Sequence, residues 1–147
     1  MEQSKILVLR SVWIAMLGST FIYGYVLKMQ SANWSASELA LDSFAIAFAG
    51  VAVLAALASF VLPIVIAKNI KVSPDATQDQ KISAYFMPFV LMLVFSEAVA
   101  LMGFALSILK QNPNYYNPFL AVAALLILIR FPTEDKVNQF LAASQVR

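Results

Sequence analysis

One carboxylate falls deep inside an apolar stretch: Glu97, within Phe95-Ser96-Glu97-Ala98-Val99-Ala100. A charged side chain at the centre of a bilayer costs about 2.5–3.5 kcal/mol on insertion scales, so such a residue is paired, protonated or turned to a polar cavity. Two kinds of chemistry follow. Glu97, with Ser96 beside it, could bind and release a proton or a small cation. Alternatively it could act as glue, hydrogen-bonded to a neighbouring helix through Ser96, Ser19, Thr20 or Tyr23.

Other chemistries lack their residues. The chain has neither cysteine nor histidine. Disulfides, thiolate nucleophiles, iron–sulfur clusters and thiolate zinc sites are thereby excluded, and the commonest metal ligand and general base is missing. No cofactor pattern is present. The net charge is only +2, with Lys and Arg placed singly at segment ends, unlike the clustered footprint of a nucleic-acid binder. Lys68, Lys71, Asp75 and Asp79 form a loose polar set without a nucleophile, so an enzyme acting on lipid is a weak third reading.

A second feature is a row of small residues. Ala45, Ala49, Ala52, Ala56 and Ser59 recur at spacings of four, three, four and three, and Ser96, Ala100, Gly103 and Ser107 form a similar row. Small faces let helix backbones approach closely, which drives association in lipid. They could pack within one bundle or between subunits.

The elements that position these residues are membrane helices. Of the residues, 61% are apolar and 12% charged, against about 45–50% and about 25% in soluble domains. A spanning helix needs about 20 apolar residues. The pattern predicts an all-α membrane protein, a single domain of four transmembrane helices over about 6–28, 37–67, 82–110 and 116–131. Arg10, Lys28, Lys68, Lys110 and Arg130 lie at or near their ends as topology anchors, with Arg10 snorkelling from one turn inside the first. The first segment is too long for a secretory leader and has no small-x-small cleavage pattern after it, so it reads as a retained helix.

Several local signals set boundaries. Ser35-Ala36-Ser37-Glu38 fits a capping box for the second helix. Glu38 and Asp42 suit the positive end of its dipole. Asn117-Pro118 reads as cap and first residue of the fourth helix, Pro88 as a bend in the third, and 71–81 as the main exposed loop. Thr133-Glu134-Asp135 could start a short interfacial helix with Val137, Phe140 and Leu141 on one face; a frayed tail is the alternative.

Lys5, Arg10, Lys68, Lys71, Lys81, Arg130, Lys136 and Arg147 fall on one side of the predicted spans, against Lys28 and Lys110 on the other. That bias predicts both ends of the chain on the cytoplasmic side. Trp34, Tyr115 and Tyr116 would sit at the opposite headgroup level, where Asn33-Trp34-Ser35 is also a formal glycosylation sequon.

The stripe from Ala45 to Ser59, the polar loop 68–81, and Ser96-Glu97-Ala98-Val99-Ala100-Leu101-Met102-Gly103 together resemble the hairpin of the proteolipid (c) subunit of rotary ATPases. That resemblance implies a proton- or cation-binding carboxylate at Glu97 in a ring of subunits. It covers less than half the chain. Arg10-Ser11-Val12-Trp13-Ile14-Ala15, the Ser-Glu-Ala segment at Glu97 and Arg130-Phe131-Pro132-Thr133 make the whole chain similar to a group of small bacterial four-helix membrane proteins, which implies the fold alone. Weighed together, these features predict a non-enzymatic bundle subunit that self-associates or joins a membrane complex, with ion binding at Glu97 as the alternative.

Overall fold

The computed structural model describes residues 3–34, 38–70, 72–73 and 75–145. Among them every regular element is helical: α1 (Gln3–Gln30), α2 (Ser43–Ala67), α3 (Gln78–Lys110), α4 (Tyr116–Leu128) and α5 (Glu134–Gln145), with short 3-10 turns after α1 and before α4. Three of the helices are long and apolar enough to cross a membrane, and α4 is a shorter apolar one. At about 1.5 Å per residue, the 13 residues of α4 reach roughly 20 Å, short of a hydrocarbon core of about 30 Å.

The longest helix, α3, is the axis of the molecule. Helices α1, α2, α4 and α5 all pack on it, while α1 and α2 scarcely meet. The outward faces carry large apolar side chains such as Ile14, Phe21, Leu54 and Leu57, each more than half exposed. That inversion suits a lipid solvent rather than water.

The helix boundaries show what local chemistry decides. α3 starts at a capping box in which Thr77 and Gln80 exchange side-chain and backbone hydrogen bonds, so residues 78–81 form its first turn rather than the end of a loop. α2 starts six residues later than expected. Its cap is Asp42, whose Oδ1 accepts from the Ala45 N–H at 2.9 Å; Ser35–Ser37 of the expected capping box lie outside the described residues, as do Lys71 and Arg147, and Glu38 precedes the helix without belonging to it. α4 is capped at Tyr115, so Pro118 sits in the first turn rather than opening it. Its chain leaves the helix at Leu128, three residues before the expected end. α3 ends at Gln111 in the left-handed region, with φ of 49°.

Two placements differ more deeply. Tyr115 and Tyr116, expected at the headgroup level, are buried at 6% and 2% exposure. The Tyr115 hydroxyl donates to the Ala40 carbonyl and accepts from its N–H, both at 2.8 Å, holding the segment before α2 against the bundle. The Tyr116 hydroxyl donates to the Thr20 carbonyl of α1, and Gly24 is the residue that admits its ring, since a Cβ there would lie 3.1 Å from the ring edge. The terminal helix α5 does form, with Thr133 Oγ1 accepting from the Lys136 N–H. Instead of lying apart on a surface it inserts Val137 and Leu141 into a core with Ile6, Leu9, Ile82, Phe89 and Leu93.

Candidate functional site

Two polar clusters occupy neighbouring residues of α3. Ser96 and Glu97 are about 100° apart around a helix of 3.6 residues per turn, and they reach different helices. Sequence reasoning grouped them as one candidate site; the structure separates them.

Glu97 turns to α1. Its Oε1 accepts from the Tyr23 hydroxyl at 2.7 Å and lies 2.5 Å from Ser19 Oγ. The same Ser19 hydroxyl is 2.7 Å from the Met16 carbonyl. Its single proton serves one of these acceptors at a time. Glu97 is half-buried, and Ser19 and Tyr23 are one turn apart on the α1 face that packs on α3. Thr20, offered as a possible partner, instead donates back to Leu17 of its own helix.

Ser96 turns the other way, to Arg130. Expected as an anchor closing the fourth helix, Arg130 is folded inward and only 8% exposed. Its Nη1 donates to Ser96 Oγ and, at 2.9 Å, to the Met92 carbonyl. Its Nη2 donates to Ser59 Oγ at 2.8 Å and approaches the Ser59 carbonyl at 3.4 Å. The guanidinium also stacks over Phe60, 4.5 Å from the ring centre.

The sequence explains why these acceptors are free. Pro63 lies inside α2 and has no N–H, so the carbonyl four residues back, that of Ser59, loses its helical donor. Arg130 approaches that carbonyl. The two serines spend their own protons within their helices, Ser59 on Ala56 at 2.5 Å and Ser96 on Met92 at 2.6 Å. Their lone pairs are thereby presented to the guanidinium. The spacing Ser59-x-x-x-Pro63 is the sequence signal for this freed carbonyl, and nothing local marks Arg130 as inward-facing.

The break between α4 and α5 gathers further cations. Lys136 Nζ donates to the carbonyls of Ile129 at 3.0 Å and Phe131 at 3.2 Å, and Trp13 Nε1 donates to that of Ile127 at 2.7 Å. These satisfy carbonyls that a helix end leaves without partners. Arg10 lies over the Phe131 ring at 5.6 Å, and its Nε is buried without a hydrogen-bond partner.

The other expected anchors behave individually. Lys28 and Lys68 are exposed. Lys110 pairs with the Asp42 carboxylate and lies 5.4 Å from the Phe44 ring centre, tying the end of α3 to the start of α2. That hydrogen bond, with the Ala45 N–H, holds the Asp42 carboxyl below its ordinary range. At the opposite end of α3, Lys5 is 3.7 Å from Asp79 and 3.2 Å from Ser83 Oγ.

The small residues divide between two duties. Ala45, Ala52 and Ser59 are buried, Ala56 is half-buried and Ala49 is exposed. Ala52 and Ala100 share one core cluster, where α2 meets α3. Gly103 faces α4, where a Cβ would come 2.4 Å from Phe119 Cβ. Ser107 Oγ is buried without a partner. Beside the α2–α3 seam runs an apolar groove of about 320 Å³, walled by Ala49, Val53 and Ala56 on one side and Pro118, Phe119 and Val122 on the other.

No group of three or more Asp or Glu that could hold a metal ion occurs among the described residues. Comparison with family models, characterised proteins and solved structures finds no match for this chain.

Proposed function

We propose that this chain is a non-enzymatic, multi-pass subunit of the bacterial inner membrane that assembles laterally with a second copy of itself through the open side of α2. Under this reading α4, with the turns on either side of it, makes the fourth crossing, and both ends of the chain face the cytoplasm, as the Lys and Arg bias implies. The observation that carries the assembly is the groove. α2 packs mainly along α3, and its remaining small positions, Ala49 and Ala56, wall an apolar cleft that no described element fills. Backbone-close packing of small faces is the main source of helix association in lipid.

The absence of native cysteine gives a clean test. Single-cysteine variants A49C and V53C should form disulfide-linked dimers in native membranes under mild oxidant, whereas I14C on the outer side of α1 should not. Equal cross-linking at all three positions would reflect random collision and would sink the reading.

Glu97 supports a second reading, in which the chain binds a proton or cation as the proteolipid resemblance implies. The favouring observation is the geometry at Ser19. An ionised Glu97 accepts the Ser19 proton; a protonated Glu97 can donate to Ser19 Oγ while Ser19 turns to the Met16 carbonyl. Carbodiimide labelling of Glu97 in membranes, followed against pH by mass spectrometry, tests it. Labelling that fades as pH rises supports exchange, and absence of labelling at every pH makes Glu97 an internal α1–α3 link.

A further inference from the structure

Ion pairs among the described residues join Lys5 to Asp79 and Lys110 to Asp42. Arg10, Arg130 and Lys136, gathered around the α4–α5 break, take part in neither. Arg130 is hydrogen-bonded only to neutral oxygens, and its Nε donates to no described residue. Neutral acceptors satisfy N–H groups but do not cancel the charge, and a buried uncompensated guanidinium is costly. Beside it lies a cavity of about 350 Å³, lined by Ser59, Arg130 and the apolar side chains of Phe60, Ile64, Ile129 and Phe140.

The depth of this cavity is informative. Lys28, Asp42 and Lys110 mark one end of the long helices. Counting about 20 residues inward from them, the length that spans the hydrocarbon, reaches Val8 on α1, Leu62 on α2 and Val90 on α3. Met92 and Ser59 lie within a turn of that level, and Arg10 does too. The cationic break therefore coincides with the opposite hydrocarbon boundary, where lipid phosphates reside.

We infer that the cavity at Arg130 binds the phosphate of an anionic membrane lipid, with Ile64 and Phe140 beside the headgroup and an acyl chain leaving past Phe60. Four of the five guanidinium N–H groups are spent on Ser59, Met92 and Ser96; the remaining Nε–H and the uncancelled charge are what Arg130 offers a phosphate, and the apolar wall suits a lipid rather than a soluble anion. Phosphate is the shared chemistry; the membrane lipid is the source.

The test is lipid retention by the purified full-length protein, measured by native mass spectrometry after reconstitution with phosphatidylglycerol and phosphatidylcholine in equal amounts. The wild type should retain phosphatidylglycerol in preference by roughly tenfold, because the choline cation of phosphatidylcholine offsets the phosphate charge presented to Arg130. R130Q should abolish the preference. Because R130Q removes hydrogen bonds between helices, I64W is the second variant. Ile64 is half exposed and touches none of the Arg130 bonds, so a tryptophan there fills the cavity in a folded protein. Loss of retention in I64W supports the site. Equal retention of both lipids by the wild type, or undiminished preference in I64W, overturns it. Thermal stabilisation by inorganic phosphate but not by phosphatidylglycerol would also overturn the lipid, assigning the site to a free anion.

Discussion

Removing the Glu97 carboxylate should expose how α1 is held to α3. In E97A the Tyr23 hydroxyl loses its acceptor, whereas Ser19 retains the Met16 carbonyl at 2.7 Å. Stranding one polar group costs about 1–3 kcal/mol, and the lost side-chain packing adds to it. Y23F removes the donor and should cost about 1 kcal/mol, since interhelical hydrogen bonds in membranes average about 0.6 and reach about 1.7 kcal/mol. In E97A/Y23F nothing is left stranded, so the double variant should be no worse than E97A alone. The coupling is then about 1 kcal/mol. E97Q keeps a carbonyl oxygen for Tyr23 and should stay within about 1 kcal/mol of the wild type. Reversible unfolding in mixed micelles, titrated with a denaturing detergent and followed by helicity, reads all four. Additive losses from E97A and Y23F would refute the hydrogen-bonded link, because additivity is the mark of side chains that do not interact.

Other substitutions test other parts of the account. G103A should destabilise by about 1–3 kcal/mol, because its Cβ would sit 2.4 Å from Phe119 and helix α4 must move; G18A, with nothing within 4 Å, should be neutral or gain up to about 1 kcal/mol of helix propensity, and thermal melts of the pair in one detergent compare them. S59A/S96A should cost more than either single change, since Arg130 then keeps only backbone acceptors; a double variant as stable as the wild type would remove the serines from the account. The Asp42–Lys110 pair makes a pH prediction. Asp42 is depressed in the folded chain, so its contribution is present above the unfolded carboxylate value of about 3.9 and is lost as pH falls through the lower folded value. The difference in melting temperature between wild type and D42N should hold from neutral pH to about 5 and shrink on acidification below about 4; a difference that grows with acid has the wrong sign.

What the sequence made legible follows from periodic or purely local signals. Long apolar runs announced α1, α2 and α3, and the lone intramembrane carboxylate drew attention to Glu97 with Ser19 and Tyr23 as two of its four candidate partners. Long-range competition hid the rest. The capping box expected at Ser35 is a local signal, yet the start of α2 is held by Asp42, which Lys110 meets from the far end of α3. Tyr115 and Tyr116 have amphipathic side chains suited to a headgroup layer, but backbone partners at Ala40 and Thr20 draw them inside. Arg130 closes an apolar run as an anchor would. Only the fold shows that Pro63 has freed a carbonyl, and two serines their lone pairs, within its reach.

The most direct test of lateral assembly is a subunit count in native-lipid nanodiscs extracted without detergent. Ala49 is exposed on the groove wall, so A49W fills the groove without disturbing the α2–α3 seam. The account predicts two or more copies per particle for the wild type and a single copy for A49W of unchanged helicity. A single copy for the wild type, or an unaltered count in A49W, would contradict it.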